Sequence, residues 1–462
     1  MVVDVARRTA ALPHPPRRLP LIGDVVGAHA STPVQDSIAL AGQLGPIFER
    51  VVFGRQYVLV SGADLVGELC DEDRFVKHVS PAIEGLRSIG GDGLFTAHSY
   101  EPNWQKAHDL LRPAFAQSAM RSYHSIMLDV ACDLMTHWRS HDVVDVSPDM
   151  TKLTLDTIGR TGFSYSFDSF TRERPHPFVD AMVGVLSHNQ RREIVAVPWL
   201  ADIVFKRADR RNAENQRYLA EVLDDIVRTR RDSGTSGSGD LLDIMLDAAR
   251  DSQNPNALSE VNIRQQILTF LIAGHETTSG ALSFALYYLS RNPEVLAAAR
   301  AEVDEVWGSA QPEFEQVPKL RYVRRVLDET LRLWPTAPAF AREAREDTSI
   351  GGLHEMKKGD WAFVLIPGLH RDPVWGDDPD AFDPDRFLSA NVRARPGHVY
   401  KPWGTGERAC IGRQFAIHEA VLVLGKILQQ FDFQVDPAYR LKIEERLTLM
   451  PKDFRLSLSV RK

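Results

Sequence analysis

The chain has 462 residues, enough for two or three domains of average size, although large single domains also occur. Hydrophobic residues make up 44% of the sequence, so the chain can build a substantial core and is not a disordered protein. Its 55 basic and 62 acidic residues leave a net charge of −7. That balance argues against nucleic acid or an anionic membrane as the main partner.

Cysteine usage and the first residues bear on the cellular compartment. The three cysteines, Cys70, Cys132 and Cys410, lie far apart and without paired spacing. This pattern argues against a disulfide framework or a cysteine-rich zinc site and suits a reducing cytosol. Residues 1–11 contain no long apolar run, so we expect no signal peptide or membrane anchor. The sequence therefore predicts a cytoplasmic protein.

A proline-rich lead over residues 1–20 precedes residues 21–462, which we expect to form one domain. Strand-forming residues follow at 56–60. The pattern is then mainly helical. Helices are predicted at 64–74, 103–111, 118–139, 149–161, 177–189, 211–231 and 240–250.

The Ser/Gly-rich run 232–239 has the composition of a surface loop, here predicted to join two helices. A second group of strand-like residues spans 348–366. Residues 454–460 alternate between apolar and polar, which predicts a half-buried terminal strand. We therefore expect a mainly α fold with small β-sheets.

One long helix is predicted from Ser259 to Arg291, about 50 Å in length and ended by Asn292-Pro293. Its middle reads Ala-Gly-His-Glu-Thr-Thr over residues 273–278. Glycine there costs about 1 kcal/mol relative to alanine. Thr277 lies four residues after Ala273, so its hydroxyl could bond the Ala273 carbonyl and distort the helix, opening room for a diatomic ligand and water. The alternative is plain back-bonding by the threonines and a solvated Glu276.

Cys410 lies between a glycine-rich loop, containing Gly404 and Gly406, and a helix-forming run that begins after Gly412. Free N–H groups and the helix dipole at such a junction favour an anion, which predicts a depressed pKa and a metal-binding thiolate. The glycines would let the backbone lie close against a flat partner. The alternative is a small buried hydrophobic side chain.

The stretch from Trp403 to Gly412 resembles the haem-thiolate signature of the cytochromes P-450, with Trp403 in place of the usual phenylalanine. Residues 273–278 are similar to the oxygen-binding motif of that family. The resemblance implies that the Cys410 thiolate binds the iron of haem b. It also implies that Thr277 contacts the bound dioxygen and that Glu276 relays protons.

Two further motifs agree with this resemblance. Glu329 and Arg332 match the Glu-x-x-Arg motif of the family, and residues 382–387 match its downstream partner. The resemblance implies that Arg386 completes a buried cluster with Glu329 and Arg332 that braces the cysteine loop. These three residues are assigned to structure.

Several residues are expected to surround the haem. Trp104 and His108 are four apart on a predicted helix and could point N–H groups at the propionates, with Arg408 opposite and Lys77 as a fourth contact. Ala273 is the first residue of the oxygen-binding motif. For Trp403 we predict that the indole N–H donates a hydrogen bond to the sulfur or its surroundings and raises the reduction potential.

Residues 91–96, 333–340 and 409–449 resemble one branch, the haem domain of the self-sufficient bacterial fatty-acid hydroxylases, in which it is fused to a diflavin reductase. The resemblance implies a pocket whose residues could otherwise be ordinary core. They are Phe95, Ala337 and Leu447 beside the iron, with Leu86, Ile83 and Gly90 further out.

Arg55 matches the basic residue of that branch that holds a fatty carboxylate at the channel mouth. Its usual tyrosine partner is replaced by Leu59, whereas Tyr57 is on the same face of the predicted strand.

The resemblance implies a monooxygenase that hydroxylates subterminal C–H bonds of medium- or long-chain fatty acids or similar lipophilic substrates, using O2 and electrons from NADPH through FMN and FAD of a reductase domain or partner. Lys106, Arg112, Lys401 and Arg413 could form its docking face. The alternatives are a stand-alone biosynthetic hydroxylase of a non-fatty metabolite, a peroxide-driven haem enzyme, and a haem-binding sensor without turnover.

Overall fold

The computed structural model describes residues 11–29, 31–174, 176–193, 205–232, 239–352 and 354–461, without the side chains of 189–193. The helices are α1 Pro33–Leu44, α2 Ala63–Leu69, α3 Pro81–Glu84, α4 Arg87–Gly90, α5 Pro102–Leu111, α6 Met120–Arg139, α7 Val146–Phe163, α8 Pro177–Glu193, α9 Lys206–Asp232, α10 Leu241–Arg250, α11 Glu260–Arg291, α12 Pro293–Trp307, α13 Arg321–Leu333, α14 Ile366–Leu369, α15 Ser389–Ala394 and α16 Arg413–Gln430.

The strands are β1 Ile47–Val52, β2 Arg55–Val60, β3 Phe75–His78, β4 Val143–Asp145, β5 Ala339–Ala344, β6 Thr348–Ile350, β7 His354–Met356, β8 Trp361–Leu365, β9 Phe431–Val435, β10 Ile443–Glu445, β11 Leu449–Pro451 and β12 Arg455–Val460. The chain forms two compact units. Unit 1 comprises Met1–Ser80, Pro338–Ala381 and Val392–Ala409, and unit 2 comprises Pro81–Ala337, Phe382–Asn391 and Cys410–Lys462.

Unit 1 is organised around a five-stranded sheet of order β1-β2-β8-β5-β3. Strands β2 and β8 pair in parallel, and the other pairs are antiparallel. Its core includes Val60, Leu69, Phe75 and Val364, all 0% exposed. These aliphatic and aromatic residues come from widely separated segments, so burial of apolar surface holds the sheet together across the sequence.

Unit 2 is mainly helical, and α11 lies at its centre. The side chain of Ser259 caps the helix by accepting a hydrogen bond from the backbone N–H of Asn262, and Pro293 follows its end. A Cβ added to Gly274 would lie 3.0 Å from Cγ1 of Ile158 in α7. A larger residue here would require Ile158 to shift by a few tenths of an ångström, so glycine favours close packing of the two helices, a reason that the sequence does not show.

Most sequence-based elements are confirmed, and the predicted helix at 259–291 differs from α11 by one residue. The helix predicted at 64–74 is wrong at its end, because α2 ends at Leu69 and Phe75 begins β3, which pairs with β5. The terminal strand is present, although Val460 at its end is 54% exposed. Within the proline-rich lead, residues 1–10 lie outside the described residues, as do 233–238 of the predicted loop.

Across the part of the chain that the structure describes, no helix is both long enough and apolar enough to span a bilayer.

Candidate functional site

The middle of α11 carries the predicted threonine hydrogen bond. Oγ1 of Thr277 donates to the backbone oxygen of Ala273 at 2.8 Å. Ala273 is exposed, whereas Ile272 before it and His275 two residues later are buried. An exposed alanine in the middle of a helix whose central residues are mostly buried indicates that this face of α11 borders open space rather than packed side chains.

Glu276 is 1% exposed, so the interpretation of this residue as a solvated acid is wrong. Oγ1 of Thr448 donates to its Oε2 at 3.1 Å. Its Oε1 lies 3.9 Å from Nη1 of Arg446 and has no hydrogen-bond partner among the described residues. A buried carboxylate with a vacant acceptor can take up or pass on a proton.

His275, next to Glu276, is fully buried. Its Nδ1 donates to the backbone oxygen of Leu271 at 2.5 Å, which fixes the tautomer and leaves Nε2 as an acceptor. Burial lowers the pKa of His275, against the opposing effect of Glu276. His275 is thus a neutral neighbour that adds no positive charge beside the carboxylate.

Cys410 begins the last segment of unit 2, three residues before α16. The residue is exposed, yet desolvation by surrounding protein atoms raises the pKa of its thiol, opposed by the N–H of Gly412 and by Arg413. Both observations fit a sulfur at the floor of a recess, reachable but poorly hydrated. The depressed pKa expected for the Cys410 thiol is wrong for the chain alone, because desolvation exceeds the opposing effects of the Gly412 N–H and Arg413. A coordinated metal cation would deprotonate the thiol.

The loop before Cys410 belongs to unit 1 and turns tightly at two glycines. Gly404 and Gly406 have φ values of +73° and +63°. A Cβ on Gly406 would collide with the Glu72 carboxylate, whose Oε2 accepts the backbone N–H of Glu407 at 3.1 Å. Gly412 has a φ of −81°, which any residue can adopt, so its backbone conformation does not require glycine.

Trp403 in the same loop is half-buried, and its Nε1 is a buried donor without a partner among the described residues. An unpaired buried donor is costly. Its N–H is therefore available to a bound group.

The structure brings Glu329, Arg332 and Arg386 together. Glu329 and Arg332 are both 0% exposed, and Nε and Nη2 of Arg332 each lie 2.7 Å from a Glu329 oxygen. Nε of Arg386 lies 3.5 Å from Oε1 of Glu329, which also accepts the backbone N–H of Asp383 at 2.9 Å. Burial raises the pKa of Glu329, and the Arg332 charge and hydrogen bonds oppose this shift.

The other predicted haem contacts fall in both units. In α5, Trp104 is buried and stacks on His108, with ring centroids 4.9 Å apart. Nδ1 of His108 is buried, has no hydrogen bond among the described residues and lies 3.6 Å from Oδ1 of Asp109. Lys77 lies in β3 and Arg408 in a short 3-10 turn, both in unit 1.

The predicted pocket residues differ in exposure. Ala337 is exposed although Thr336 before it is buried, as expected of a residue beside a hollow. Leu86 is 1% exposed, which favours ordinary core packing for it. Gly90 is also buried, whereas Ile83, Phe95 and Leu447 are half-buried.

A cavity of about 530 Å³ lies elsewhere in unit 2, between α8 and α9. Its lining includes His188, Asn212 and Tyr218, and no predicted site residue is among them.

Sequence reasoning missed Arg446, Thr448 and Glu419. The first two are about 170 residues from Glu276, and no local signal pairs them with it. Glu419 in α16 is 1% exposed, and neither oxygen has a hydrogen-bond partner of good geometry among the described residues. The nearby Thr157 hydroxyl instead donates to the Leu153 carbonyl at 3.0 Å. Burial raises the pKa of the Glu419 carboxyl to about 8.

Glu419 should make stability depend on pH. The ordinary pKa of a glutamate is 4.5 and the folded value is about 8. The free energy of unfolding should therefore decrease as the pH rises from the first value to the second, with no further decrease above it. The total is on the order of 4 kcal/mol. Relative to the parent, Glu419→Gln should therefore gain roughly that amount between pH 5 and pH 9, measured by denaturant unfolding. The exposed Glu305→Gln is the matched control; equal pH dependence in both variants would contradict the assignment.

Comparison with known proteins places these features in a family. The family model for cytochrome P450 matches residues 13–458. The chain belongs to the cytochrome P450 family, and the mainly α fold with small sheets is confirmed.

A bifunctional cytochrome P450/NADPH–P450 reductase of Bacillus cereus is 45% identical over 99% of this chain and 43% of its own length. A bifunctional cytochrome P450/NADPH–P450 reductase of Bacillus subtilis is 46% identical over 92% of this chain and 40% of its own length. A self-sufficient cytochrome P450 monooxygenase of Phanerodontia chrysosporium is 40% identical over 96% of this chain and 42% of its own length. The chain thus spans about two fifths of the length of the curated relatives that it matches.

The family uses haem, and the residues present fit that group. Cys410 offers a reachable sulfur in a poorly hydrated recess, and α11 has an open face at Ala273. His108, also in unit 2, carries a buried ring nitrogen without a hydrogen bond among the described residues.

Proposed function

We propose that this chain is the haem domain of a monooxygenase that hydroxylates C–H bonds of a lipophilic substrate with O2 and NADPH-derived electrons. The observation that carries the proposal is the buried Glu276 beside Thr277, on a helix whose Ala273 faces open space. When bound, haem held by the Cys410 thiolate supplies the electron-rich iron that activates dioxygen. The protein must then deliver protons to that place and exclude bulk water.

The side chains divide this work. Thr448 holds Oε2 of Glu276, so Oε1 remains available to accept a proton. Thr277 keeps its hydroxyl on the helix by donating to Ala273, and the hydroxyl oxygen remains free to accept a hydrogen bond. Burial of His275 as a neutral ring prevents a competing cation next to the acid.

We propose medium- and long-chain fatty acids, hydroxylated at subterminal positions, as substrates. The support is the resemblance to the fatty-acid hydroxylase branch and the exposed Arg55 at the start of β2. Leu59 is buried in the sheet, while the Tyr57 ring packs against Trp361 and Phe363. A non-fatty metabolite is the alternative, and the class of ligand that shifts the haem absorbance from low to high spin separates the two.

We propose a diflavin reductase carrying FMN and FAD, fused or separate, as the electron donor. The printed names of the relatives support it, since they join a P450 to an NADPH–P450 reductase. Arg112 and Arg413, two residues of the predicted docking face, are exposed.

A cytoplasmic location is also proposed, because all three cysteines are free thiols.

Thr277→Ala should divert reducing equivalents to hydrogen peroxide, because the hydroxyl that stabilises the proton-delivery geometry is lost. Product formed per NADPH should fall by about tenfold or more, measured with a reductase and a substrate that gives the spin shift. Glu276→Gln should act in the same direction.

The matched control for this measurement is Thr278→Ala, which removes the adjacent buried hydroxyl of the same helix. It should remain coupled at equal haem content. Fully coupled turnover of both Thr277→Ala and Glu276→Gln would overturn the proposed function of these residues.

A further inference from the structure

Glu276 has one charged partner among the described residues. Nη1 of Arg446 lies 3.9 Å from its Oε1, whereas Thr448 holds Oε2. The adjacent His275 loses its charge through burial. A buried carboxylate needs a compensating charge or hydrogen bonds. Arg446 is therefore the side chain that can offset the Glu276 charge.

Arg446 also connects the interior to the surface. Its side chain is 25% exposed, against 2% for that of Glu276. Its Nη2 lies 3.2 Å from Oε2 of Glu444, whose side chain is 34% exposed. The three side chains thus form a column, Glu444–Arg446–Glu276. It begins in solvent at Glu444 and ends at Oε1 of Glu276, the buried oxygen that has no hydrogen bond among the described residues.

The backbone holds this column rigidly beside α11. Arg446 donates its N–H to the backbone oxygen of Thr448 at 2.9 Å, closing a tight turn between β10 and β11. Leu449 donates to the backbone oxygen of Thr336 at 2.9 Å. A Cβ on Gly280 would lie 2.5 Å from the Leu449 oxygen, so the strand approaches the helix closely only because residue 280 is glycine. The turn therefore presents Arg446 and Thr448 to the same carboxylate.

We propose that Arg446 is a positioning residue for proton delivery, anchoring Glu276 and marking the surface entrance of its proton route. The inference rests on the proposed role of Glu276 and extends it to a named path. An arginine does not give up its own proton at neutral pH. Arg446 acts by holding the Glu276 carboxylate so that Oε1 points towards the surface end of the column. Water then brings protons to Oε1 from the side of Glu444.

The test compares Arg446→Met, Arg446→Lys and Glu444→Gln with the parent in reductase-supported turnover. Arg446→Met should lower product per NADPH by about threefold to tenfold and increase the solvent deuterium isotope effect on product formation. Arg446→Lys keeps the charge and should restore most of the coupling. Glu444→Gln, further out, should have a smaller effect in the same direction. The matched control is Arg455→Met, a 69% exposed arginine beside Asp145, and should leave both readouts unchanged.

A double variant separates positioning from a structural effect. In the Glu276→Gln background, Arg446→Met should cause no further loss of coupling, because both changes act through one carboxylate. An equal additional loss, or unchanged coupling and isotope effect in Arg446→Met while Glu276→Gln uncouples, would overturn the inference and leave the proposed function standing. Full coupling of Glu276→Gln would instead overturn the proposed function.

Discussion

Cys410→Ala is expected to lose the strongly red-shifted Soret band that thiolate-ligated haem gives after reduction and treatment with CO. The thiol of Cys410, just before α16, is exposed. Alanine at this position supplies no ligand to iron. The effect is all or none, because no neighbouring residue within two positions of Cys410 can replace a thiolate. The measurement is a reduced, CO-bound difference spectrum at equal protein concentration.

Cys70→Ala and Cys132→Ala are the matched controls for this spectrum. Both cysteines are only partly buried, and Sγ of Cys132 lies 3.6 Å from Nε2 of Gln311. Each variant should retain the full band. Persistence of the band in Cys410→Ala would remove the basis for the haem site.

Arg332→Met should destabilise the folded protein by roughly 3–5 kcal/mol. Both Arg332 and Glu329 are 0% exposed, and the arginine supplies two of the hydrogen bonds to the carboxylate. Without it, the contacts of Glu329 among the described residues include the Asp383 N–H at 2.9 Å and the more distant Arg386 at 3.5 Å. A buried charge without its partner raises the free energy of the folded state, which denaturant unfolding measures directly.

Arg325→Met provides the control on the same helix. Arg325 pairs with Asp385 at 2.6 Å, but that carboxylate is 60% exposed. Pairs of this kind contribute about 1 kcal/mol or less. Adding Glu329→Gln to Arg332→Met should recover part of the loss, since the stranded charge is removed. Equal losses in Arg325→Met and Arg332→Met would contradict the buried-cluster interpretation.

Local spacing explains which parts of the site were predictable. The bounds of α11 follow from the Ser259 cap and Pro293, and the Thr277 hydrogen bond follows from a separation of four residues. The Glu329–Arg332 pair likewise depends on i, i+3 geometry on one helix. Each of these signals lies within a few turns of chain.

Tertiary packing explains what could not be predicted. The thiol pKa of Cys410 is raised because desolvation exceeds the opposing effects of the Gly412 N–H and Arg413, and desolvation depends on how the whole chain packs. The partners of Glu276 come from a turn about 170 residues further on. Glycine at position 274 is explained by Ile158 in another helix. None of these relationships has a periodic pattern in the sequence.

The parallel pairing of β2 with β8 has a consequence for synthesis on the ribosome. Val58 pairs with Ala362, roughly 300 residues later. At about 5–20 residues per second, roughly 15–60 s pass before the second strand emerges. During that interval β2 has only β1 beside it, and its other edge offers unpaired N–H and C=O groups to any passing strand. The nascent chain is thus most prone to aggregation before the sheet can be completed, so weak expression, which keeps few incomplete chains present together, favours folded protein.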